Sequence, residues 1–279
     1  MILDIDVAAY YPALAIQNGF YPQHLGQSFV EVYRELFETR MEAKRTGNKP
    51  VNSGLKLALN GVYGKSNDQY SLFYDPMYTM RVTVNGQLLL SMLAEGLVDE
   101  IKDITMIQAN TDGITIKIPR DQYDEVMLIC RDWEEETGMI LEYAEYKKMV
   151  IRDVNNYLAI TTDGYAKPKG CFEITPMQNG AIAYNKNWSM RVVPKALHAF
   201  YLDGVPVEDF IRKHEEIYDF GIGFRARKDW SIIYTDIEGN NKVRRKQQRT
   251  LRYFVSSTGG SLTKENKDGR IISLGSGRS

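Results

Sequence analysis

Residues 2–7 alternate with the period of a strand, placing Leu3, Ile5 and Val7 on one side and Ile2, Asp4 and Asp6 on the other. Pro12 has no N–H to give to a ladder, so the strand is expected to stop in the aromatic-proline turn Tyr10-Tyr11-Pro12. Phe29, Val32, Tyr33, Leu36, Phe37, Arg40 and Lys44 recur at helical spacing and predict a helix over 28–46, broken at Gly47-Asn48-Lys49-Pro50. A second helix over 52–63 carries Leu55, Leu59 and Val62 on one stripe and Lys56, Asn60 and Tyr63 on the next, with Gly64 at the position that would end it. The two make a helical hairpin. Val84, Leu88, Leu89, Met92, Leu93, Leu97 and Ile101 predict a third helix over 83–101, apolar enough to lie on a sheet. Two β-rich runs, 105–109 and 114–118, flank Asn110-Thr111-Asp112-Gly113 and read as a hairpin with a polar tip. A helix over 121–136 and strands over 140–151 and 156–162 complete an α+β layer by Gly164.

From about 178 the pattern turns to helices near 193–202 and 206–217 and then to a basic stretch. The last twenty or so residues are rich in Gly, Ser, Lys and Asp and show no periodicity, so a loop or frayed tail is expected there. With 279 residues, 43% of them hydrophobic, the chain can bury one large core or two modest ones. Its 35 basic and 36 acidic residues nearly cancel, so a nucleic-acid surface would have to come from local segregation of charge. Such segregation exists in 242–254, which holds six cations and no acid. Cys130 and Cys171 lack CxxC spacing and companions, which argues against a zinc or thiol site and fits a reducing compartment. His24, His198 and His214 are scattered without ligand spacing and are taken as structural. No apolar run approaches the roughly 18 residues of a membrane span, and no signal-type segment leads the chain, so no membrane role and a cytoplasmic location are expected, a host's cytoplasm if the source is viral. A strand expected from residue 2 reads as either a minimal catalytic module or a piece of something longer, and the second is expected.

Asp6 at a strand end and Asp112 at a hairpin tip belong to strands that can be neighbours in one antiparallel sheet. Two carboxylates gathered there could hold two Mg²⁺ ions about 3.5–4 Å apart, with Mn²⁺ as a substitute, the arrangement that supports in-line displacement at phosphorus. Arg40 and Lys44, four apart on one helix, and Lys56 on the next could converge on a triphosphate, Arg by its planar fork and Lys as a point charge. Taken singly each of these is an ordinary solvated cation or turn residue; order and spacing together give them meaning.

Four segments carry a family resemblance. Asp6-x-x-x-Tyr10-Tyr11-Pro12 resembles motif A of family B DNA polymerases, Arg40-x-x-x-Lys44 the basic pair of their fingers, Lys56-x-x-x-Asn60-x-x-Tyr63-Gly64 motif B, and Asn110-Thr111-Asp112-Gly113 the motif C hairpin. The resemblance covers residues 1 to about 175 and implies a phage-type α+β polymerase. Palm segments at 1–27 and 65–177 would flank a fingers hairpin at 28–64, and 178–279 would form a mainly helical thumb with a flexible tail. It implies that Asp6 and Asp112 hold the metal and that Arg40, Lys44 and Lys56 bind the incoming nucleotide, with backbone N–H groups around Ala9 and Tyr10 helping to cradle its phosphates. Tyr11 would be the gate against a 2′-hydroxyl, and Asn60, Tyr63 and Gly64 would line the nascent base pair. Asn155-Asn156-Tyr157 and Lys167-x-Lys169 resemble weaker palm motifs that meet DNA, and Arg244, Arg245, Lys246, Arg249 and Arg252 would grip duplex phosphates. Primer-template DNA and deoxynucleoside triphosphates are the implied partners, with an exonuclease domain expected upstream or on another chain. Departures are Asn110 for the first motif C acid, Ala9 and Ala13 for serines, and Gly61 for the motif B serine. They keep two other readings open: an inert DNA-binding remnant, or a nucleotidyl-cyclase-like palm enzyme.

Overall fold

The computed structural model describes residues 1–174, 177–178, 181–182, 189–238, 241–255 and 259–276. By its internal contacts the chain divides into two units, Met1–Lys167 and Pro168–Ser279. The expected boundary at 177–178 falls in a stretch where 175–176 and 179–180 lie outside the described residues.

The first unit is built on a six-stranded sheet. Its strands are β1 (Ile2–Val7), β2 (Thr105–Ala109), β3 (Gly113–Lys117), β4 (Leu141–Asp153), β5 (Asn156–Thr161) and β6 (Ala166–Lys169), in the order β2-β3-β1-β4-β5-β6. β1 is central and antiparallel to both neighbours, with Asp6 opposite Gly113 on β3 and opposite Glu142 on β4. The helices are α1 (Tyr10–Gln17), α2 (Ser28–Arg45), α3 (Lys49–Lys65), α4 (Pro76–Glu100) and α5 (Tyr123–Thr137). One core holds Leu3, Ile5 and Val7 of β1, Leu14 and Ile16 of α1, Val82, Leu93 and Leu97 of α4 and Val126 and Trp133 of α5. The alternating apolar side of β1 therefore packs under the helices.

Local chemistry sets the helix ends. Asp75 accepts the Met77 and Tyr78 N–H groups ahead of Pro76, and Asn48 accepts the Val51 N–H ahead of Pro50. Gly138 closes α5 at a left-handed φ of 67°. Three expectations need correction here. Residues 10–17 are helical, because Pro12 falls in a first turn, where the N–H it lacks has no helical acceptor to lose. Gly64 does not end its helix, which runs on to Lys65 with its cap at Ser66. α4 starts at its Asp-Pro cap, seven residues before the hydrophobic stripe becomes evident.

The second unit has β7 (Met177–Gln178) paired with β8 (Ala181–Ile182), then α6 (Val192–Asp203) and α7 (Val207–Lys213). The strands β9 (Ile222–Arg225), β10 (Trp230–Glu238), β11 (Asn241–Gln247), β12 (Thr250–Tyr253), β13 (Ser261–Asn266) and β14 (Ile271–Ser276) follow. Four of them form a sheet in the order β11-β10-β13-β14, and β12 pairs with β9. The expected mainly helical thumb is thus mostly strand among the described residues, and the expected tail forms β13 and β14; only its last residues, 277–279, lie outside the described ones. These strands escape a periodicity reading because their core is small: Ala226, Ile232 and Leu262 are its buried members. Among the described residues no helix is long and apolar enough to cross a membrane.

Candidate active site

β1 delivers Asp6 to the rim of the sheet, and the β2–β3 hairpin delivers Asp112 beside it. The Val7 N–H donates to the Asp112 carbonyl at 2.7 Å, and the Ala8 N–H to the Ile140 carbonyl at 2.8 Å, so the hairpin tip is tied to the strand end by backbone. Gly113 makes this possible. A Cβ there would lie 1.9 Å from Asp6 Oδ1 and 2.9 Å from the Ile5 carbonyl oxygen, so no other residue leaves the Asp6 carboxylate where it is. Asn110 Oδ1 accepts the Asp112 N–H at 3.0 Å and the Gly113 N–H at 2.8 Å. The amide in the place of the first motif C acid therefore shapes the turn that presents Asp112.

A cavity of about 590 Å³ opens at this point, lined by Asp6, Ala9, Tyr10, Tyr11, Arg40, Lys44, Lys56, Asn60, Tyr63, Thr111 and Asp112. It brings together residues from β1, α1, α2, α3 and the hairpin. Ala9 precedes α1 with φ and ψ both 49°, a left-handed turn that costs a non-glycine residue about 1 kcal/mol. That turn starts α1 at the cavity wall, which Tyr10 and Tyr11 line, and first-turn amides have no acceptor within the helix. The Tyr10 side chain instead enters the core, donating to the Gly86 carbonyl of α4. Tyr11 packs on Tyr63 with ring centroids 4.0 Å apart. Burial, its hydrogen bond to Tyr63 and the charges of Tyr63 and Asp112 push its phenol up to about 12, so the ring stays neutral and fixed. Tyr63 is held in turn by a 3.0 Å hydrogen bond with Thr83 of α4.

Arg40 is 7% exposed, and its Nε donates to Asn52 Oδ1 of α3 at 3.3 Å. Tyr33 of α2 donates to the Leu59 carbonyl of α3 at 2.7 Å, which locks the two helices together. Glu142 also lines the cavity and is ion-paired with Lys44. Sequence reasoning missed both Asn52 and Glu142; strand register alone puts Glu142 beside Asp6, and no motif flags it. Asn110 and Thr111 line, with Tyr11, Gly86, Gln87 and Asn155, a second cavity of about 400 Å³ next to the first.

Asp4, on the same side of β1 as Asp6 and two residues before it, is buried. Thr115 Oγ1 donates to its Oδ1 at 2.5 Å and Tyr146 OH to its Oδ2 at 2.9 Å, while Lys167 Nζ donates to Tyr146 OH at 2.8 Å. This chain clamps β1 between β3 and β4. Tyr157 is buried with Tyr146, and burial followed by the charges of Asp4, Asp6 and Asp112 pushes its phenol up to about 12. Tyr157, expected to meet DNA, is 3% exposed here and packs in the cluster with Tyr146 and Ala159. Gly64 does not line the cavity. Lys169 is exposed on β6. In the second unit Arg244, Arg245 and Lys246 lie exposed on β11, Arg252 on β12 and Arg249 between them; Arg244 is ion-paired with Glu265.

Among the described residues no group of three or more His, Cys, Asp or Glu side chains gathers as a metal cluster. Asp6 and Asp112 still suit Mg²⁺, which is commonly bound through one or two carboxylates and completes its shell with water and substrate phosphates.

In fold the chain is similar to family B DNA polymerases. The structure of the family B DNA polymerase from the hyperthermophilic archaeon Pyrobaculum calidifontis superposes with a TM-score of 0.55 over 98% of this chain and 41% of that one, at 14% identity. In sequence, DNA polymerase II of Escherichia coli (strain K12) is 30% identical over 83 residues, which is 30% of this chain and 10% of that enzyme. No family model matches the chain. This chain thus spans well under half the length of either protein.

Proposed function

We propose that the chain is a template-directed DNA polymerase module that adds deoxynucleotides to a primer 3′-hydroxyl with two Mg²⁺ ions, in the replication of a phage or mobile element. The observation that carries this reading is the convergence of Asp6 and Asp112 with Arg40, Lys44, Lys56 and Tyr11 on one cavity. Asp6 and Asp112 would hold the metal. Bound Mg²⁺ neutralises the triphosphate and the leaving pyrophosphate and makes the attacking hydroxyl easier to deprotonate. The chain's own part is to place the substrate. Arg40, Lys44 and Lys56 meet the triphosphate from the helical hairpin, and the α1 amides meet it from below. Tyr11, immobilised on Tyr63, fills the space a 2′-hydroxyl would need. Asn60 and Tyr63 bound the nascent base pair, and the cavity beside Asn110 and Thr111 receives the primer end. The exposed cations Arg244, Arg245, Lys246, Arg249 and Arg252, with Lys167 and Lys169, supply sequence-independent phosphate contacts that weaken with salt. The compact α2–α3 hairpin, turned by residues 46–48, supports the phage-type assignment.

Primer extension by the purified chain with Mg²⁺ and four deoxynucleotides tests this. Asp6→Asn and Asp112→Asn should each abolish extension, by three orders of magnitude or more on the scale of about 4 kcal/mol of transition-state stabilisation, while primer-template binding persists. Extension at the normal rate by either variant would sink the assignment. Template-free product would favour a cyclase-like enzyme.

A further inference from the structure

Glu142 sits opposite Asp6 across β1 and β4, on the wall of the same cavity. Its carboxylate reaches from the sheet to the helical hairpin and pairs with Lys44, 98 residues away in sequence. It is also the acid whose charge acts on the Arg40 guanidinium. Two of the cations assigned above to a triphosphate therefore already share an anion. Arg40 and Lys44 are one helical turn apart on α2 and repel each other across it. A carboxylate paired with one and acting on the charge of the other relieves that repulsion and holds the Lys44 ammonium at the cavity wall, where a phosphate oxygen would otherwise be needed.

We infer that Glu142 is a built-in stand-in for phosphate: it keeps Lys44 aimed into the cavity between turnovers and surrenders it when a triphosphate enters. This rests on the polymerase reading. The incoming nucleotide binds in competition with an ion pair of the chain's own, so an anion must be strong enough to displace Glu142 before it gains Lys44. A triphosphate meets that condition better than a diphosphate or pyrophosphate, and Glu142 thereby sharpens selection for the triphosphate. Its role is positioning, exerted through Lys44.

The test is equilibrium binding of dTTP, and separately of pyrophosphate, to the full chain on a dideoxy-terminated primer-template. Ca²⁺ is the cation, so that no chemistry follows. Glu142→Gln should tighten dTTP binding by about two- to fivefold, the range that measured ion-pair energies convert to, and should tighten pyrophosphate binding by more. Lys44→Met should weaken dTTP binding, and in that background Glu142→Gln should have no further effect, because the two act through one contact. Glu142 is half exposed, so its substitution leaves the core untouched. A gain that persists in full in the Lys44→Met background would make Glu142 a through-space charge and overturn the inference. Weaker dTTP binding by Glu142→Gln would overturn it too, by making Glu142 a direct contact of the cation or nucleotide. Wild-type binding with an unaltered Glu142→Gln defeats this inference alone; no dTTP binding by the wild type defeats the polymerase reading and this inference with it.

Discussion

At the scale of single residues the site depends on close fits that leave few substitutions open. Gly113→Ala places a methyl against Asp6 Oδ1, so the carboxylate must move or the β1–β3 pairing must part. Primer extension by this variant should fall at least tenfold, equivalent to about 1.4 kcal/mol, with a far-ultraviolet spectrum like the wild type's. An active Gly113→Ala enzyme would mean that the position of Asp6 is not critical. Tyr11→Ala opens the space beside Tyr63 and should raise ribonucleotide incorporation relative to deoxyribonucleotide; an unchanged ratio in a competition assay removes the gate role. The Asn110 amide oxygen accepts the two N–H groups, of Asp112 and Gly113, that set the turn presenting Asp112. Asn110→Ala should loosen that tip and lower activity, whereas Asn110→Asp, which keeps the acceptor, should retain it.

Among elements, α4 links the site to the core. Its buried stripe, Tyr78, Val82, Leu90, Leu93 and Leu97, packs under the sheet, while Gly86 lets α1 approach closely enough for Tyr10 to reach its carbonyl. The helix starts at Asp75, whose carboxylate also accepts the Gln23 N–H at 2.8 Å. Burial alone would raise the Asp75 pKa, but the three backbone N–H groups and His24 more than offset it and hold the carboxyl below its usual range. A depressed carboxylate stabilises the fold above its unfolded pKa of about 3.9 and loses that contribution as pH falls through the lower folded value. Asp75→Ala should cost about 1 kcal/mol at pH 7, and the difference from wild type should shrink in acid-unfolding curves as pH falls through the depressed folded value. The long helices, the hairpin and the first five strands are legible in the sequence because each carries a strong period. α1 is not, because eight residues containing a proline read as a turn until the strand before them is in place.

For the whole molecule, two units with separate cores give no guarantee of a single unfolding transition. The second unit is anchored by Asp219, which is almost fully buried. It is bonded to Lys195 at 2.5 Å and to His214 at 2.7 Å, with Arg191 3.6 Å away. Burial pushes its pKa up, and these partners together pull it further down. Its contribution is therefore full above about pH 3.9 and fades as pH drops through the depressed value. Asp219→Asn should destabilise this unit by about 2 kcal/mol. Hydrogen exchange should then quicken in α6, α7 and the strands after them, with protection of the first unit unchanged; a uniform loss across both would mean that the two unfold together. A net charge of -1 also conceals local segregation, since cations gather on β11 and β12 while acids and cations meet in equal number at the cavity.

The sequence by itself determined the motif residues and most of the first unit's elements, since periodicity and turn chemistry are local properties of the chain. It also ordered Asp6, Arg40, Lys44, Lys56 and Asp112 along the chain as one set. Tertiary structure decided what lies between them. Glu142 and Asn52 enter the cavity, Asp4 becomes a buried clamp, Gly113 becomes obligatory, and the basic C-terminal run becomes strand. These depend on pairing register and on contacts between residues far apart in the chain, which local patterning does not encode.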